Sequence, residues 1–344
     1  MLHIDLLYVQ EYLWAVPPPV AVLVTSRSFS SGDLDLAAEL ESAGCEVVTG
    51  PASHDLTTLE PLLTSATAWI AGVGPVTAAH LDAAPQLQIV ARYGVGVEAV
   101  DLAAAAERGI VVTNTPGANT SAVADHAIAL MLAALRDITV GDRAVRSGSW
   151  GVRRTRQLGQ LVVGVVGLGR IGRAVVTRLS GFGSTVLGYD PFVSQQQLDR
   201  LGVEGVGLDE LVRRSDVITL HAPGEEVLVD AQFLALARPG LVLVNSARAG
   251  LVDEPALAEA LRAGGLRSYA ADVLGSEGSG YDSPLLAADL ASRTLFTPHC
   301  GAQTTEAVDQ MGRGAVDAVL AQLRGEQPPH LVPARSPDEG EGSP

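Results

Sequence analysis

Short apolar runs alternate with helix-like segments through most of this chain, and they do so in two series. Val20–Thr25, Gly44–Thr49, Ala68–Ala71, Gln88–Ala91 and Gly109–Thr113 read as short buried strands. Helices are predicted between them over Leu34–Ala43, Ala78–Ala84 and Leu102–Arg108. Strands that are apolar on both faces and separated by helices belong in a parallel sheet covered on two sides. The second series starts at Leu161, with strands predicted over Leu161–Val166, Thr185–Tyr189, Val217–His221, Leu241–Asn245, Ser268–Ala271 and Thr294–Thr297. The pattern predicts an α/β protein with two parallel sheets, the second of them nucleotide-fold-like. Between the series, Ser121–Arg136 is apolar around most of its circumference and is predicted to be buried between two domains or two subunits. A last helix is predicted over Thr305–Arg324.

The ends read differently. Residues 1–19 carry acids and no basic n-region, so they make a poor signal peptide and are treated as an N-terminal extension. From Gln327 to Pro344 the chain is rich in Pro, Glu, Gly and Ser and is predicted to be a disordered tail.

Composition excludes several functions. All 23 basic residues are arginine, so no Schiff-base lysine, P-loop lysine or lysine general base exists. The 39 acids give a formal charge of −16, which repels phosphate backbones, so nucleic acid is not an expected partner. No apolar run is long enough to predict a membrane span. Cys45 and Cys300 form neither a disulfide framework nor a CxxC pair, which suits a reducing, cytoplasmic setting; Cys300 reads as a small packing residue.

The strand ending at Val166 runs into Gly167-Leu168-Gly169-Arg170-Ile171-Gly172, a GxGxxG between a strand and a helix. The first glycine permits the tight turn, the second lets a pyrophosphate approach, and the third lets helix and strand pack closely. Free N–H groups at the helix start then face the anion. The next strand ends at Tyr189-Asp190, 18 residues after Gly172. A carboxylate there accepts hydrogen bonds from ribose hydroxyls and repels a 2′-phosphate, and no basic residue follows in Pro191–Gln197. The expected cofactor is NAD rather than NADP.

Three later segments end strands of the same sheet: Val244–Glu254, Ala271–Glu277 and Phe296–Ala302. Ligands of open α/β sheets bind outside those carboxyl ends, so Arg248, Glu277 and His299 can converge there. Among the other histidines, His54 and His80 read as surface residues and His126 as a structural residue of the buried helix. His221 ends a strand beside Pro223 and is expected to line the cofactor cleft.

Six ordered motifs now resemble the D-isomer-specific 2-hydroxyacid dehydrogenase family over roughly Val20–Val332. They are ARYGVGVEAVD, NTPGANTSAVADHA, GLGRIG, NSARAGLVDE, DVLGSE with DSPLL after it, and TPHCGAQTTEA. The resemblance implies two Rossmann- or flavodoxin-like domains flanking a cleft, with a cofactor domain, over 119–302, inserted into a substrate domain built from 20–118 and the returning helix 303–326. It implies Arg248 on the substrate carboxylate and carbonyl oxygen, since guanidinium donors match oxygen pairs. His299 is the implied general acid for reduction and base in reverse, with Glu277 paired to it. Backbone N–H groups at Gly94, Val95 and Gly96 are expected to bind the substrate carboxylate from the opposite domain. The implied cofactor contacts come from Gly167, Gly169, Arg170, Ile171, Gly172, Asp190, His221, Pro223, Ala247, Asp272 and Gly301. Asp272 is read as an orienting carboxylate near the nicotinamide. The family also implies a homodimer packed around the 121–136 helix.

Departures narrow the substrate. Gly224-Glu225 follows His221-Ala222-Pro223 where Leu-Thr is usual, Ala249 replaces a frequent glycine, and Gly278 stands where proline is common. Phosphoglycerate-type members carry an arginine, and often a lysine, in the substrate loop, which here reads Ala71–Thr77 with Ala71 and Pro75 at the matching places. With no added C-terminal regulatory domain in the chain, phosphoglycerate is disfavoured. Phosphite is disfavoured by the missing loop lysine, and formate by the lack of an evident Asn and Gln pair. Small 2-oxo acids such as glyoxylate or hydroxypyruvate stay open, and Arg92 reads equally as a second anion ligand or a structural ion pair. The alternative from another class is an NAD(H)-binding regulatory protein like the corepressors built on this scaffold.

Overall fold

The computed structural model describes residues 20–224, 226–275 and 282–333. The N-terminal extension 1–19 and Glu277 therefore lie outside the described residues.

The first sheet holds β1 (Val20–Val24), β2 (Cys45–Thr49), β3 (Ala66–Ala71), β4 (Ile89–Arg92) and β5 (Val111–Thr113), all parallel in the order β2-β1-β3-β4-β5. That is the flavodoxin-like order. Its helices start where aspartates cap free N–H groups. Asp35, Asp55 and Asp101 each accept from a backbone amide of the first turn. One face of the sheet is covered by Leu36–Ser42 and by the returning helix Thr305–Leu323, which buries Met311, Ala315 and Val319 against Val22, Ile70 and Ile89. Gly312 makes that contact possible, because a Cβ there falls 2.4 Å from Leu36.

The second sheet holds β6 (Val162–Val166), β7 (Thr185–Tyr189), β8 (Glu204–Gly205), β9 (Val217–Leu220), β10 (Leu241–Asn245), β11 (Leu266–Ala271) and β12 (Thr294–Phe296). The strands are parallel in the order β12-β11-β10-β9-β6-β7-β8. Strand order reverses between β6 and β9, and ligands of such sheets bind in the crevice at that point. The apolar helix, Thr120–Leu135, buries Ala124, Ala127, Met131 and Leu135 on this sheet and packs on the Arg170–Ser180 helix. Most of its apolar circumference is thus covered inside one chain.

Two expectations change. Residues 327–333, the described part of the tail expected to be disordered, run back along β5, where Leu331 bridges Thr113 and the Val332 N–H donates to the Val112 carbonyl (2.8 Å); residues 334–344 lie outside the described residues. An open strand edge offers those backbone partners whatever the composition of the arriving segment. His54 and His80 are not surface residues either; they are 2% and 4% exposed. The His54 ring packs on Trp69. Trp69 Nε1 and the Gly72 N–H both donate to Thr25 Oγ1, so that hydroxyl donates its own hydrogen to His54 Nε2 (2.7 Å). His54 is therefore neutral and donates from Nδ1 to the Pro75 carbonyl (3.0 Å), holding the Gly72–Pro75 loop.

This arrangement predicts acid sensitivity. Burial pushes the His54 pKa down from 6.5 to about 4; the Pro75 hydrogen bond opposes the shift and the positive charge of Arg92 adds to it. With the folded value depressed, the stability contribution is complete above the unfolded pKa and is lost as pH falls from 6.5 toward 4. Between pH 7 and pH 5 this one group removes about 2 kcal/mol. Urea unfolding of wild type and His54→Gln at both pH values measures it: the variant loses about 2 kcal/mol less over the interval. Equal losses in both proteins contradict the assignment.

Candidate active site in the cleft between the sheets

The glycine loop is shaped as its pattern requires. Gly167 takes φ +88°, and a Cβ on it falls 2.6 Å from the backbone of His221 and Ala222. A Cβ on Gly172 falls 2.0 Å from the Gly167 carbonyl oxygen, so only glycine lets the helix seat on the loop. Gly169 caps that helix and faces open space, as a residue approached by a pyrophosphate must. Asp190 follows β7 and is tied to the loop: one carboxylate oxygen accepts from the Leu168 N–H (2.7 Å), the other from the Phe192 N–H (2.9 Å). His221 follows β9, bonded through Nε2 to Thr219 Oγ1 (2.9 Å). Desolvation lowers its pKa to about 4, which makes it a neutral wall of the crevice. Its buried Nδ1 has no protein partner among the described residues, which leaves it available to a bound group. These features fit a dinucleotide.

The ends of β10, β11 and β12 are drawn together by backbone bonds. The Asp272 N–H donates to the Asn245 carbonyl and the Thr297 N–H to the Ala271 carbonyl, both 3.0 Å. Adjacent strands are about 4.8 Å apart, so side chains just past these ends share one small region. Buried Asn245 shapes the first of them. Its Nδ2 donates to the Arg248 carbonyl (2.8 Å) and its Oδ1 accepts from the Ala247 N–H (3.0 Å), which turns Arg248 out of the strand. Asp272 is buried and accepts from the Thr297 hydroxyl and from the N–H groups of Cys300 (2.9 Å) and Gly301 (2.7 Å). Burial works to raise its pKa, but these bonds and one from His126 outweigh burial and hold it below the usual carboxylate value. Asp272 is therefore a fixed negative charge. His299 follows in the exposed Thr297–Cys300 turn, with a left-handed φ of +50°. Histidine tolerates that region better than bulky residues do, and such conformations gather at functional sites.

The opposite wall comes from the first sheet. The Gly94–Gly96 loop is held by Thr115, whose Oγ1 accepts from the Gly94 N–H (3.2 Å), and by Asn114, whose Nδ2 donates to the Val95 carbonyl (2.8 Å). The Arg248 guanidinium abuts it: a Cβ on Gly96 falls 2.6 Å from Arg248 Nη2. Arg248 Nη2 donates across the cleft to Glu98 Oε1 (3.0 Å), and Nε to the same oxygen (3.3 Å). Burial works to raise the Glu98 pKa, but its own backbone N–H and the charges of Arg248 and Arg92 outweigh it, so Glu98 is held ionised. Arg92 is buried behind the loop, bonded to the Tyr93 and Ala71 carbonyls. Desolvation lowers its pKa to about 10.

The structure thus brings Arg248, Asp272, His299 and Gly301 to adjoining strand ends. It sets the Gly94–Gly96 loop opposite Arg248, and Gly167–Gly172, Asp190, His221 and Pro223 around the crevice. Four residues at the site were not singled out as part of it by sequence reasoning. Glu98 and Asn245 act through contacts that no spacing reveals. His126 and Thr297 bond to each other (2.8 Å) and both to Asp272, although His126 read as merely structural.

Fold and crevice together define a dinucleotide-binding α/β scaffold. The family described as "D-isomer specific 2-hydroxyacid dehydrogenase, NAD binding domain" matches residues 128–301, and the chain belongs to that family. It is 44% identical over 264 residues to D-3-phosphoglycerate dehydrogenase of Mycobacterium tuberculosis, covering 75% of this chain and 49% of that protein. It is 38% identical over 267 residues to glyoxylate reductase of Korarchaeum cryptofilum, covering 75% and 80%. The chain spans about half the length of the phosphoglycerate dehydrogenases it matches first. Among solved structures, the TT0316 protein of Thermus thermophilus superposes with a TM-score of 0.82 at 34% identity, covering 91% of this chain and all of that one. Among the described residues no helix is long and apolar enough to cross a membrane.

Proposed function

We propose that the protein interconverts a 2-oxo acid and a D-2-hydroxy acid with NAD as the redox partner. The observation that carries this reading is the placement of Arg248 past β10 and His299 past β12, with Asp272 at the end of β11 between them, and of a glycine loop from the other sheet opposite Arg248. The bound nicotinamide supplies or accepts the hydride. Gly167, Gly169, Arg170, Ile171 and Gly172 hold its pyrophosphate, and Asp190 selects NAD by repelling a ribose phosphate. Ala247, Asp272 and Gly301 flank the nicotinamide end. Arg248 holds the substrate carboxylate and polarises the 2-oxo oxygen. The N–H groups of the Gly94–Gly96 loop grip the carboxylate from the other side. His299 gives its proton to that oxygen in reduction and takes it back in oxidation. Glu277, outside the described residues, is the carboxylate the family pattern pairs with it. Arg248 pairs with Glu98 across the cleft (3.0 Å), so a substrate carboxylate competes with Glu98 for the guanidinium.

A small 2-oxo acid such as glyoxylate or hydroxypyruvate is the favoured substrate, because Ala71 and Pro75 offer no cation for a phosphate. The same reading places the protein in the cytoplasm, where free Cys45 and Cys300 stay reduced. The test is NADH consumption against a panel of 2-oxo acids. Turnover of at least one supports the proposal. Tight NADH binding with no turnover moves the reading to an NAD(H)-binding regulator.

The assembly proposed is a homodimer. The helix Ile138–Arg146 buries no residue, and Ile138 and Val145 lie seven positions apart on one face, 55% and 49% exposed. Trp150 and Val152, which follow that helix in the chain, are 84% and 95% exposed. Apolar surface of this kind marks a protein contact. Trp150→Glu is expected to shift sedimentation from dimer to monomer; a variant that stays dimeric at the same concentration contradicts this interface.

A further inference from the structure

Three metal-binding donors of different chemistry meet beside the strand ends. A ring nitrogen of His126, an Asp272 carboxylate oxygen and Cys300 Sγ all lie within 4.8 Å of one another. His126 Nε2 and Asp272 Oδ1 are already 3.3 Å apart. Donors about 2.0–2.3 Å from a tetrahedral zinc ion stand about 3.3–3.7 Å from each other, so that pair sits at coordination spacing. The thiol must close by at most about 1.5 Å, within the sweep of one χ1 rotation. Cys300 is partly exposed, which gives an ion a way in, while Asp272 is 3% exposed.

The donor set chooses the ion. Magnesium and calcium take oxygen ligands, whereas one imidazole, one thiolate and one carboxylate suit zinc and its thiophilic neighbours. A carboxylate and a thiolate also cancel the charge of a divalent ion, so the occupied pocket is neutral. Binding through the Cys300 sulfur requires the thiolate, so loading of a thiol releases a proton. The Thr297 hydroxyl, bonded to both Asp272 and His126, orients two of the three ligands. Three protein ligands leave a fourth position open.

We propose that His126, Asp272 and Cys300 form a site for a divalent cation of the zinc class. On the dehydrogenase reading above, on which this second half rests, the ion inhibits turnover by capturing Asp272 beside His299. The experiment is titration of the full, reduced chain with Co²⁺, read by the near-ultraviolet thiolate-to-cobalt charge-transfer band. The band is expected in wild type and in Cys45→Ser, absent in Cys300→Ser, and at least about tenfold weaker in affinity in His126→Asn. No band in wild type, or a band that survives Cys300→Ser, overturns the site. Zn²⁺ is expected to inhibit NADH oxidation by wild type, with Cys300→Ser at least about tenfold less sensitive. A cobalt band without inhibition overturns the inhibitory half. A chain without turnover still gives or lacks the cobalt band, so failure of this site and failure of the dehydrogenase reading are told apart.

Discussion

Arg248→Ala is expected to lower kcat/KM for a 2-oxo acid by about 10³-fold, a loss of about 4 kcal/mol of transition-state stabilisation. The guanidinium is asked to hold a carboxylate and to stabilise the negative charge that develops on the carbonyl oxygen. Charge-assisted paired bonds of that kind are the strong ones. Arg248 lies past β10 on the substrate side of the crevice, away from the Gly167–Gly172 loop, so NADH affinity should change by less than about threefold. Arg248→Lys separates geometry from charge. Lysine keeps the charge but not the planar fork, so a deficit of about 10²-fold is expected to remain. The Glu98 contact adds a second consequence. With Arg248 gone, Glu98 keeps its half-buried carboxylate without that partner, and its pKa rises toward the ordinary carboxylate value. Steady-state kinetics checks the two rate losses, and fluorescence titration of NADH checks the unchanged cofactor affinity. A loss of less than about tenfold in kcat/KM contradicts the role of Arg248.

His299→Ala is expected to reduce kcat by 10² to 10⁴-fold, about 3–5 kcal/mol, with NADH still bound. The side chain follows the same strand end that supplies Thr297, and its left-handed backbone is fixed by the Pro298 turn and by the Cys300 and Gly301 N–H bonds to Asp272. Reduction needs the imidazolium and oxidation the neutral ring. Wild-type reduction therefore slows toward alkaline pH and oxidation slows toward acid pH. The variant loses both dependences over that range. A variant that keeps the wild-type pH profile at reduced rate shows the proton passing through another group.

Both sheets were readable in the sequence because their strands are apolar runs bounded by turn residues. Thr185–Tyr189 and Leu241–Asn245 match the structure residue for residue, and most other strands fall within one or two positions. The short polar-faced helices, such as Gln195–Leu201 and Leu208–Arg214, carry too few apolar positions to stand out. Gly167, Asp190, Arg248, Asp272 and His299 follow the ends of β6, β7, β10, β11 and β12, on one side of the second sheet because its strands are parallel. Glu98 and Asn245 did not stand out, since one acts across the cleft, 150 positions from Arg248, and the other from inside a strand. His54 and His80 misled for a related reason: their burial depends on Trp69 and Thr25, which are distant in the chain.

The central claim is hydride transfer between NAD and C2 of a 2-oxo acid, and isotope tracing tests it most directly. The protein is incubated with NADH deuterated at both C4 positions of the nicotinamide and with glyoxylate or hydroxypyruvate, and the 2-hydroxy acid is analysed by mass spectrometry. The account predicts one deuterium at C2 of the product, D configuration where C2 is stereogenic, and no product with His299→Ala on the same timescale. Bound NADH with no deuterated product from either acid or from a wider panel contradicts it.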